Sequence, residues 1–277
     1  MEVFRAVRDL LIPERCVCCG SRLLRSERHL CLSCLADLPY TYFWKTPHNK
    51  MADAFNALIQ GAMADDAPYQ PYSRATALFY YQGGYESLTK AVKYGGNARL
   101  GVWLGRQLGA RLVEAGFAGG RGSGPNGGEA AGSPDPAVAG EALPLVTAVV
   151  PVPLHWRRRW KRGYNQAELI ARGVAATLGV PLRTDLLRKA RSTGSQTALS
   201  QQERLANVAR AFRVNRKALA SVIPSEAKES HLLLIDDVFT TGATLFSARR
   251  ALMAALQELP APSAEIKISV ATLAYAQ

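Results

Sequence analysis

One segment near the end of the chain restricts the fold more than any other. Residues 231–245 read HLLLIDDVFTTGATL, an apolar run of strand length that ends in two aspartates and is followed by a Thr- and Gly-rich turn and a helical pattern. A strand this apolar is typical of a parallel sheet that helices cover on both faces. Ligands bind such sheets beyond the carboxyl ends of the strands. The segment therefore predicts an α/β domain with a ligand site after this strand.

The remainder of the chain repeats this alternation of strands and helices. The hydrophobic spacing predicts strands over 74–81, 145–152, 231–238 and 265–274. It predicts helices over 1–11, 51–60, 85–93, 100–115, 166–178, 201–212 and 244–258. Residues 116–140 are dominated by Gly, Ala, Pro and Ser and cannot bury enough apolar surface to offset their ordering entropy. We interpret them as a flexible insertion within one domain.

The cysteines form a compact pattern near the N-terminus. All five of them lie between Cys16 and Cys34, and two CxxC knuckles, Cys16 with Cys19 and Cys31 with Cys34, are separated by eleven residues. Two knuckles complete a tetrahedral site with no open position, which predicts a structural zinc ion. Free core thiols or a redox pair are the alternatives. Cys18 is the spare cysteine, and it or His29 could replace a ligand.

The turn after the apolar strand has the chemistry of a phosphorylated-sugar site. Asp236 and Asp237, the predicted catalytic pair, can accept hydrogen bonds from ribose hydroxyls or hold Mg²⁺ indirectly. Backbone N–H groups at the following helix start can cradle a phosphate. The phosphate- and ribose-binding candidates are Thr240, Thr241, Gly242, Ala243 and Thr244. The alternative is an ordinary strand end and helix cap.

Two further loops carry candidate anion-binding residues. Residues 149–166 read VVPVPLHWRRRWKRGYNQ, and we expect this loop to bind a diphosphate or nucleic acid, although many such runs are only solvated turns. Its candidates are Arg158, Arg159, Arg162, Gly163, Asn165 and Gln166. Residues 188–212 begin as a polar stretch that fits a mobile lid and an ordinary loop equally well. The candidates there are Arg188, Lys189, Gln196 and Thr197.

The charge balance limits the class of partner. The formal net charge is +12 and the isoelectric point is near 9.7, so the partners are expected to be anionic: nucleic acid, phosphorylated metabolites or an acidic protein. The longest apolar run is too short for a membrane span, and the N-terminus does not have the pattern of a signal peptide. We therefore expect a cytoplasmic protein.

Taken together, these segments resemble the ComF family, whose members are called ComFC or GntX-like. The resemblance rests on the double CxxC, on LTKAVKYGG at 88–96, on RGYNQ at 162–166, on SQTALSQQERLANV at 195–208 and on LLLIDDVFTTGATL. It implies a small zinc module over 1–45 and a type I phosphoribosyltransferase-like domain over 46–277. In that fold the basic loop would face the diphosphate and the Gln196 region would close over the site.

The resemblance leaves two functions open. In the first, the chain binds phosphoribosyl diphosphate and acts in DNA uptake during natural transformation, with single-stranded DNA and a helicase-like protein as expected partners. In the second, it is an active Mg²⁺-dependent phosphoribosyltransferase of nucleotide metabolism. The basic, aromatic loop favours the first function and the intact sugar-phosphate motif favours the second. No Ser-His-Asp or Cys-His arrangement is evident in the sequence.

Overall fold

The computed structural model describes residues 14–62, 72–118, 145–154, 163–190, 211–223, 229–259 and 265–276. Its strands are β1 (Ala75–Tyr80), β2 (Ala148–Pro151), β3 (Leu187–Lys189), β4 (Phe212–Val214), β5 (Glu229–Phe239) and β6 (Glu265–Tyr275). Its helices are α1 (Leu32–Ala36), α2 (Lys50–Gln60), α3 (Glu86–Tyr94), α4 (Ala98–Glu114), α5 (Gln166–Leu178), α6 (Arg216–Ala220) and α7 (Ala243–Gln257). A short 3-10 helix spans Phe43–Lys45.

Four strands form a parallel sheet in the order β1-β6-β5-β2. The two longest strands, β5 and β6, lie at its centre, and both are buried over most of their length. The predicted α/β class with a parallel sheet is confirmed. Because all four strands run in the same direction, their carboxyl ends meet at one edge, where the aspartates of β5 lie.

Helices cover both faces of this sheet, as the apolar strands require. Leu232 and Leu234 of β5 belong to one core cluster, which α2, α6 and α7 complete, while Leu233 and Ile235 belong to the other, which α3, α4 and α5 complete. This alternation follows from the two-residue period of a strand, which points successive side chains to opposite faces. No described helix is both long and apolar enough to span a membrane.

Glycines allow α4 and α5 to pack with their backbones in contact. A Cβ atom on Gly105 would lie 2.1 Å from the carbonyl oxygen of Ile170, and one on Gly173 would lie 2.2 Å from the carbonyl oxygen of Val102. No side chain fits at either position without moving a helix. The contact fixes the start of α5, which lies at the sheet edge that carries the aspartates.

The cysteine segment shares a core with the sheet. Leu30 and Leu38 are buried together with Leu78 and Phe79 of β1. Within the predicted module, Tyr40 forms an antiparallel bridge with Phe79. The division of the chain after residue 45 stays a prediction, but the module and the sheet bury apolar surface against each other.

The ends of the predicted insertion lie side by side. The N–H of Val146 donates to the carbonyl of Phe117 over 3.0 Å, and both side chains are buried. The expected start at residue 116 was therefore too early, because Phe117 is part of the core and its ring lies 5.5 Å from that of His231. Residues 119–144, which make up most of the predicted insertion, lie outside the described residues.

Two expectations for residues 188–212 need correction. Arg188 and Lys189, expected in a flexible loop, belong to β3, which pairs antiparallel with β4. Phe212, expected at the end of a helix, begins β4, where it is buried while the next residue, Arg213, is exposed. A buried residue followed by an exposed one is the pattern of a strand. It was not recognised because β4 is short and follows a polar segment. The remainder of that helix and the helix predicted over 1–11 lie outside the described residues.

Candidate functional site

A polar cleft of about 510 Å³ lies beyond the carboxyl ends of β2 and β5. Its lining includes Asp236 and Asp237 from β5, Lys93 from α3 and Lys189 from β3. The cleft therefore brings two acidic and two basic side chains from three elements to one place. Such convergence of charged groups in a concave site is the usual signature of a ligand site.

The two aspartates have different environments although they are adjacent. Asp237 Oδ2 lies 3.0 Å from Lys93 Nζ, in a pair whose side chains are 17% and 24% exposed. Asp236 Oδ1 accepts the backbone N–H of Asp237 over 2.9 Å. Burial, and then the negative charge of Asp237, raise the pKa of Asp236 to about 7. One carboxylate is thus paired with an ammonium group, while its neighbour is near its titration midpoint at neutral pH.

The Thr- and Gly-rich turn leads from β5 into α7. Thr240 and Thr244 line the cleft, and Gly242 at the helix start has a left-handed φ of 74°. A Cβ there would lie 2.7 Å from the ring of Phe239, so both conformation and space require glycine. The residue at the N-cap position of α7, Gly242, has no side chain that could cap the helix. Its first N–H groups can therefore serve an anionic ligand.

The predicted turn residues Thr241 and Ala243 are not among the residues that line the cleft. Thr241 and Ala243 are exposed, and the Ala243 N–H donates to Thr241 Oγ1 over 3.5 Å. The turn therefore presents two threonine hydroxyls to the cleft and directs the third to its own backbone. This distinction was not visible in the sequence, where Thr240, Thr241 and Thr244 are equivalent.

Of the segment 149–166, the structure describes residues 149–154 and 163–166. Asn165 and Gln166 are buried and line the cleft, and Asn165 Nδ2 donates to the Val152 carbonyl over 3.0 Å. Gly163 has a φ of 80°. The predicted anion-binding residues Arg158, Arg159 and Arg162 lie outside the described residues, as do Gln196 and Thr197.

Sequence reasoning missed the site residue Lys93. The pattern over 85–93 predicted only a helix, yet Lys93 comes within hydrogen-bonding distance of Asp237, and the neighbouring Tyr94 also lines the cleft. Lys93 lies in the last turn of α3, where the helix dipole favours a cation. In the sequence, the feature that could have indicated Lys93 was its place at the end of a predicted helix, two residues before Gly95 and Gly96.

The four predicted zinc ligands converge. The Sγ atoms of Cys16, Cys19, Cys31 and Cys34 all lie within 4.8 Å of one another, and those of Cys19 and Cys31 are 3.6 Å apart. Tetrahedral zinc with Zn–S bonds of about 2.3 Å requires sulfurs about 3.8 Å apart. The four cysteines are positioned to bind a metal ion, and their donor set fits zinc. Among the described residues they form the only cluster of at least three possible metal ligands.

The thiols have the electrostatics of a site that needs a cation. Burial, and then the neighbouring thiols, raise the pKa of Cys34, whereas hydrogen bonds with Ser21 lower the pKa of Cys19 to about 6. The N–H of Cys34 also donates to Cys31 Sγ over 3.5 Å. Crowded sulfurs resist joint ionisation unless a divalent ion compensates their charge.

Neither alternative ligand reaches the cluster. Cys18 Sγ is directed to Ser87 Oγ, 3.7 Å away, and burial raises the pKa of its thiol. The ring of His29 lies 5.8 Å from that of Trp103. Cys18 is therefore a spare thiol, as predicted.

The metal cluster is attached to the helix that carries Lys93. Tyr85 Oη, just before α3, donates to the Cys34 carbonyl over 3.1 Å. Ser87, in the first turn of α3, contacts Cys18. At the other end of the helix, Tyr164 Oη donates to the Val92 carbonyl over 2.6 Å. The cysteine module and the entrance to α5 together hold α3 against the cleft.

Comparisons with known proteins agree with this architecture over part of the chain. No family model matches the sequence. The chain is 36% identical over 103 residues to "Competence protein F" of Haemophilus influenzae, which is 37% of this chain and 42% of that protein. It is 36% identical over 103 residues to "DNA utilization protein YhgH" of Salmonella typhi, covering 41% of that protein. It is 32% identical over 105 residues to "Competence protein ComFC" of Bacillus subtilis, covering 38% of each chain.

The matches span about two fifths of the length of these curated relatives. They are consistent with the resemblance that the sequence motifs indicated. Over a little more than a third of its length, the chain is a homologue of competence protein F, ComFC and YhgH.

Proposed function

We propose that this protein binds a phosphorylated ribose, with phosphoribosyl diphosphate as the preferred ligand, and acts in the handling of DNA that the cell takes up. The observation that carries the first half is the convergence of Asp236, Asp237 and the start of α7 on one polar cleft. A pair of carboxyl groups beside the N–H groups of a helix start suits a ligand that has both hydroxyls and phosphate.

Each part of the ligand has its own group of residues in this proposal. The aspartates accept hydrogen bonds from the ribose hydroxyls, and the turn 240–244 binds the 5-phosphate through N–H groups and the hydroxyls of Thr240 and Thr244. The diphosphate lies toward Lys93 and Lys189. In this proposal the predicted candidates Arg158, Arg159 and Arg162 also bind it. Charge-assisted hydrogen bonds of this kind are about twice as strong as neutral ones.

The DNA half of the proposal is supported by the relatives and by charge. Three of the matched proteins are named for competence or DNA utilization. The net charge of +12 favours a polyanionic partner. Single-stranded DNA would bind through residues 156–162, in which five basic residues accompany Trp156 and Trp160, two side chains suited to base stacking. A helicase-like protein is the further partner, and the cytoplasm is the compartment.

The ion in the cysteine cluster is zinc in this proposal. Four cysteines leave no coordination position for a substrate, so the ion stabilises the fold and takes no part in chemistry. Its role is to tie residues 14–38 to β1 and to the start of α3.

A binding screen with a salt series tests both halves. Purified protein is titrated with phosphoribosyl diphosphate, ribose 5-phosphate and a single-stranded oligonucleotide at increasing salt. We expect phosphoribosyl diphosphate to bind more tightly than ribose 5-phosphate. The affinity for DNA should fall steeply with salt, because phosphate contacts release counterions. If neither sugar phosphate binds, the proposed ligand is wrong. If the affinity for DNA does not change with salt, the proposed contacts between basic residues and DNA phosphates are wrong.

Asp236 favours a second candidate function, transfer of the phosphoribosyl group. A carboxyl group with a pKa of about 7 can exchange a proton at neutral pH. In such a transfer the bond between ribose C1 and the diphosphate oxygen breaks, a bond from C1 to an acceptor forms, pyrophosphate leaves, and Asp236 can take the proton that the acceptor loses. Catalysis would otherwise be positioning and charge stabilisation.

Release of pyrophosphate distinguishes transfer from binding alone. Protein saturated with phosphoribosyl diphosphate is incubated with nucleobases and with single-stranded DNA, and pyrophosphate is measured. Release that depends on an acceptor and is abolished by Asp236→Asn supports transfer. Binding without release under all of these conditions supports the binding protein.

A further inference from the structure

We propose that Lys93 and Lys189 take the place of a divalent cation in this cleft, so that the protein binds phosphoribosyl diphosphate without Mg²⁺. The inference rests on the proposed ligand and concerns how its charge is neutralised. It differs from the Mg²⁺ dependence that the sequence resemblance implied.

The acidic pair does not offer a divalent ion a free site. Asp237 is engaged by Lys93 at 3.0 Å, and one oxygen of Asp236 accepts the N–H of Asp237. Mg²⁺ requires near-octahedral oxygen ligands and is usually held by one or two carboxylates, waters and substrate phosphates. Here a fixed ammonium group already occupies the position beside the more available carboxylate, and it would repel a second cation.

Lys93 is held in place by its surroundings. Its side chain is 24% exposed, and it lies in the last turn of α3, whose carbonyl end favours a positive charge. The neighbouring Val92 carbonyl accepts the Tyr164 hydroxyl, which fixes that turn against the entrance to α5. A preorganised ammonium group binds an anion without the cost of immobilising a long side chain.

Lys189 supplies the second positive charge from another element. It lines the same cleft, and its ammonium group lies 5.6 Å from the ring centre of Phe212 on the paired strand β4. A cation over a ring face is attracted by the ring. Two ammonium groups thus face the cleft from α3 and from β3, and together they carry the charge of one divalent ion.

The two lysines also explain why the carboxylates can remain in an anion-binding site. Without a cation, Asp237 would repel phosphate, whereas in its pair with Lys93 it is neutralised. A ligand hydroxyl can then accept or donate at this pair while the phosphates contact the ammonium groups. The pair is therefore a positioning device for the ligand and a substitute for a metal ion.

The test measures binding of phosphoribosyl diphosphate by titration calorimetry, in EDTA and in excess Mg²⁺, for the wild type and for Lys93→Ala. We expect the wild type to bind at least as tightly in EDTA as in Mg²⁺. We expect Lys93→Ala to bind at least about tenfold more weakly in EDTA. Mg²⁺ should restore part of that loss, because the variant leaves Asp237 free to hold the ion.

Lys90→Ala is the matched control. Lys90 lies one turn earlier on the same helix, pairs with Glu86 and does not line the cleft. Its removal should leave both affinities unchanged. If Lys93→Ala does not fold, Lys93→Met keeps most of the stem and removes only the charge.

The outcomes separate the inference from the proposed function. Wild-type binding that needs Mg²⁺, or a Lys93 variant that loses no affinity in EDTA, would overturn the inference and leave the proposed ligand intact. A wild type that binds no phosphoribosyl diphosphate in either buffer would overturn the proposed function itself.

Discussion

At the scale of single residues, two adjacent aspartates differ because their neighbours differ. Asp237 has an ammonium group at 3.0 Å, whereas Asp236 faces burial and the charge of Asp237. Burial disfavours a charged carboxylate and an opposite charge favours it. The cleft can therefore present one carboxylate in an ion pair and one carboxyl group that titrates near neutral pH.

The shift at Asp236 predicts a pH-dependent stability. The folded pKa of about 7 lies above the ordinary value of 3.8, so the folded state binds this proton more tightly than the unfolded state. Stability is therefore greatest below about pH 4 with respect to this group and falls as the pH rises to about 7. Three pKa units represent roughly 4 kcal/mol, which is the upper limit that we expect for this change in unfolding free energy.

Asp236→Asn should remove this dependence. Urea denaturation between pH 4 and pH 7 should show a smaller loss of unfolding free energy in the variant than in the wild type. Asp185→Asn is the control with the opposite sign, because Arg183 lowers the pKa of Asp185 and its contribution is lost as the pH falls. Identical pH profiles for the wild type and Asp236→Asn would show that the carboxyl group is not perturbed.

At the scale of elements, most of the sheet could be predicted from the sequence. The helix expected over 166–178 has those bounds, and the central strands β5 and β6 each extend slightly beyond the predicted ranges. Their apolar side chains are buried in the core, so the hydrophobic pattern of the sequence matches the pattern of buried residues.

Other elements could not be predicted because their pattern is too short or too distant. The strands β3 and β4 have three residues each and are stabilised by a partner more than twenty positions away. The pairing of Lys93 with Asp237 depends on how α3 packs against the sheet, which a linear pattern does not contain. The two aspartates and Lys189 were therefore candidates from the sequence, and Lys93 was not.

The contact between α4 and α5 gives a prediction at this scale. Gly105→Ala would place a methyl group 2.1 Å from the carbonyl oxygen of Ile170, which forces the helices apart. We expect a loss of about 2–3 kcal/mol and a melting temperature lower by about 5–10 °C. Arg106→Ala, at the exposed next position, should change the melting temperature little. A Gly105→Ala protein as stable as the wild type would show that the helices are further apart.

At the scale of the whole molecule, the cysteine cluster and the cleft are connected through α3. The cluster contacts the start of that helix, and Lys93 lies near its end. Loss of the metal should therefore lower stability and also weaken binding in the cleft. Such coupling is reciprocal, so the ligand should in turn protect the cluster from chelators.

The spare cysteine provides a matched control for the metal. Cys34→Ser removes one of the four converging ligands, and we expect much less than one zinc ion per chain and an unfolded N-terminal module, because metal binding supplies folding energy. Cys18→Ser removes a thiol that lies outside the cluster, and it should retain one zinc ion. Metal analysis of both variants measures this. Equal zinc loss in the two variants would contradict the assignment of ligands.

The insertion offers a second test at this scale. Because Phe117 and Val146 are joined by a hydrogen bond, the chain between them can be replaced by a short bridge. Deleting residues 120–139 with a Gly-Ser linker should leave the melting temperature and ligand affinity nearly unchanged. A large decrease in either would show that the deleted residues pack against the core.

The most direct test of the central claim is titration calorimetry of phosphoribosyl diphosphate against the Asp236→Asn, Asp237→Asn double variant. The amide groups keep the shape of the strand end but replace both carboxylates by weaker, uncharged acceptors, so the ribose hydroxyls lose their charge-assisted hydrogen bonds and Lys93 loses its ionic partner. We predict that wild-type protein binds the diphosphate and that the folded double variant does not. Unaltered affinity in the double variant would contradict the assignment of this cleft.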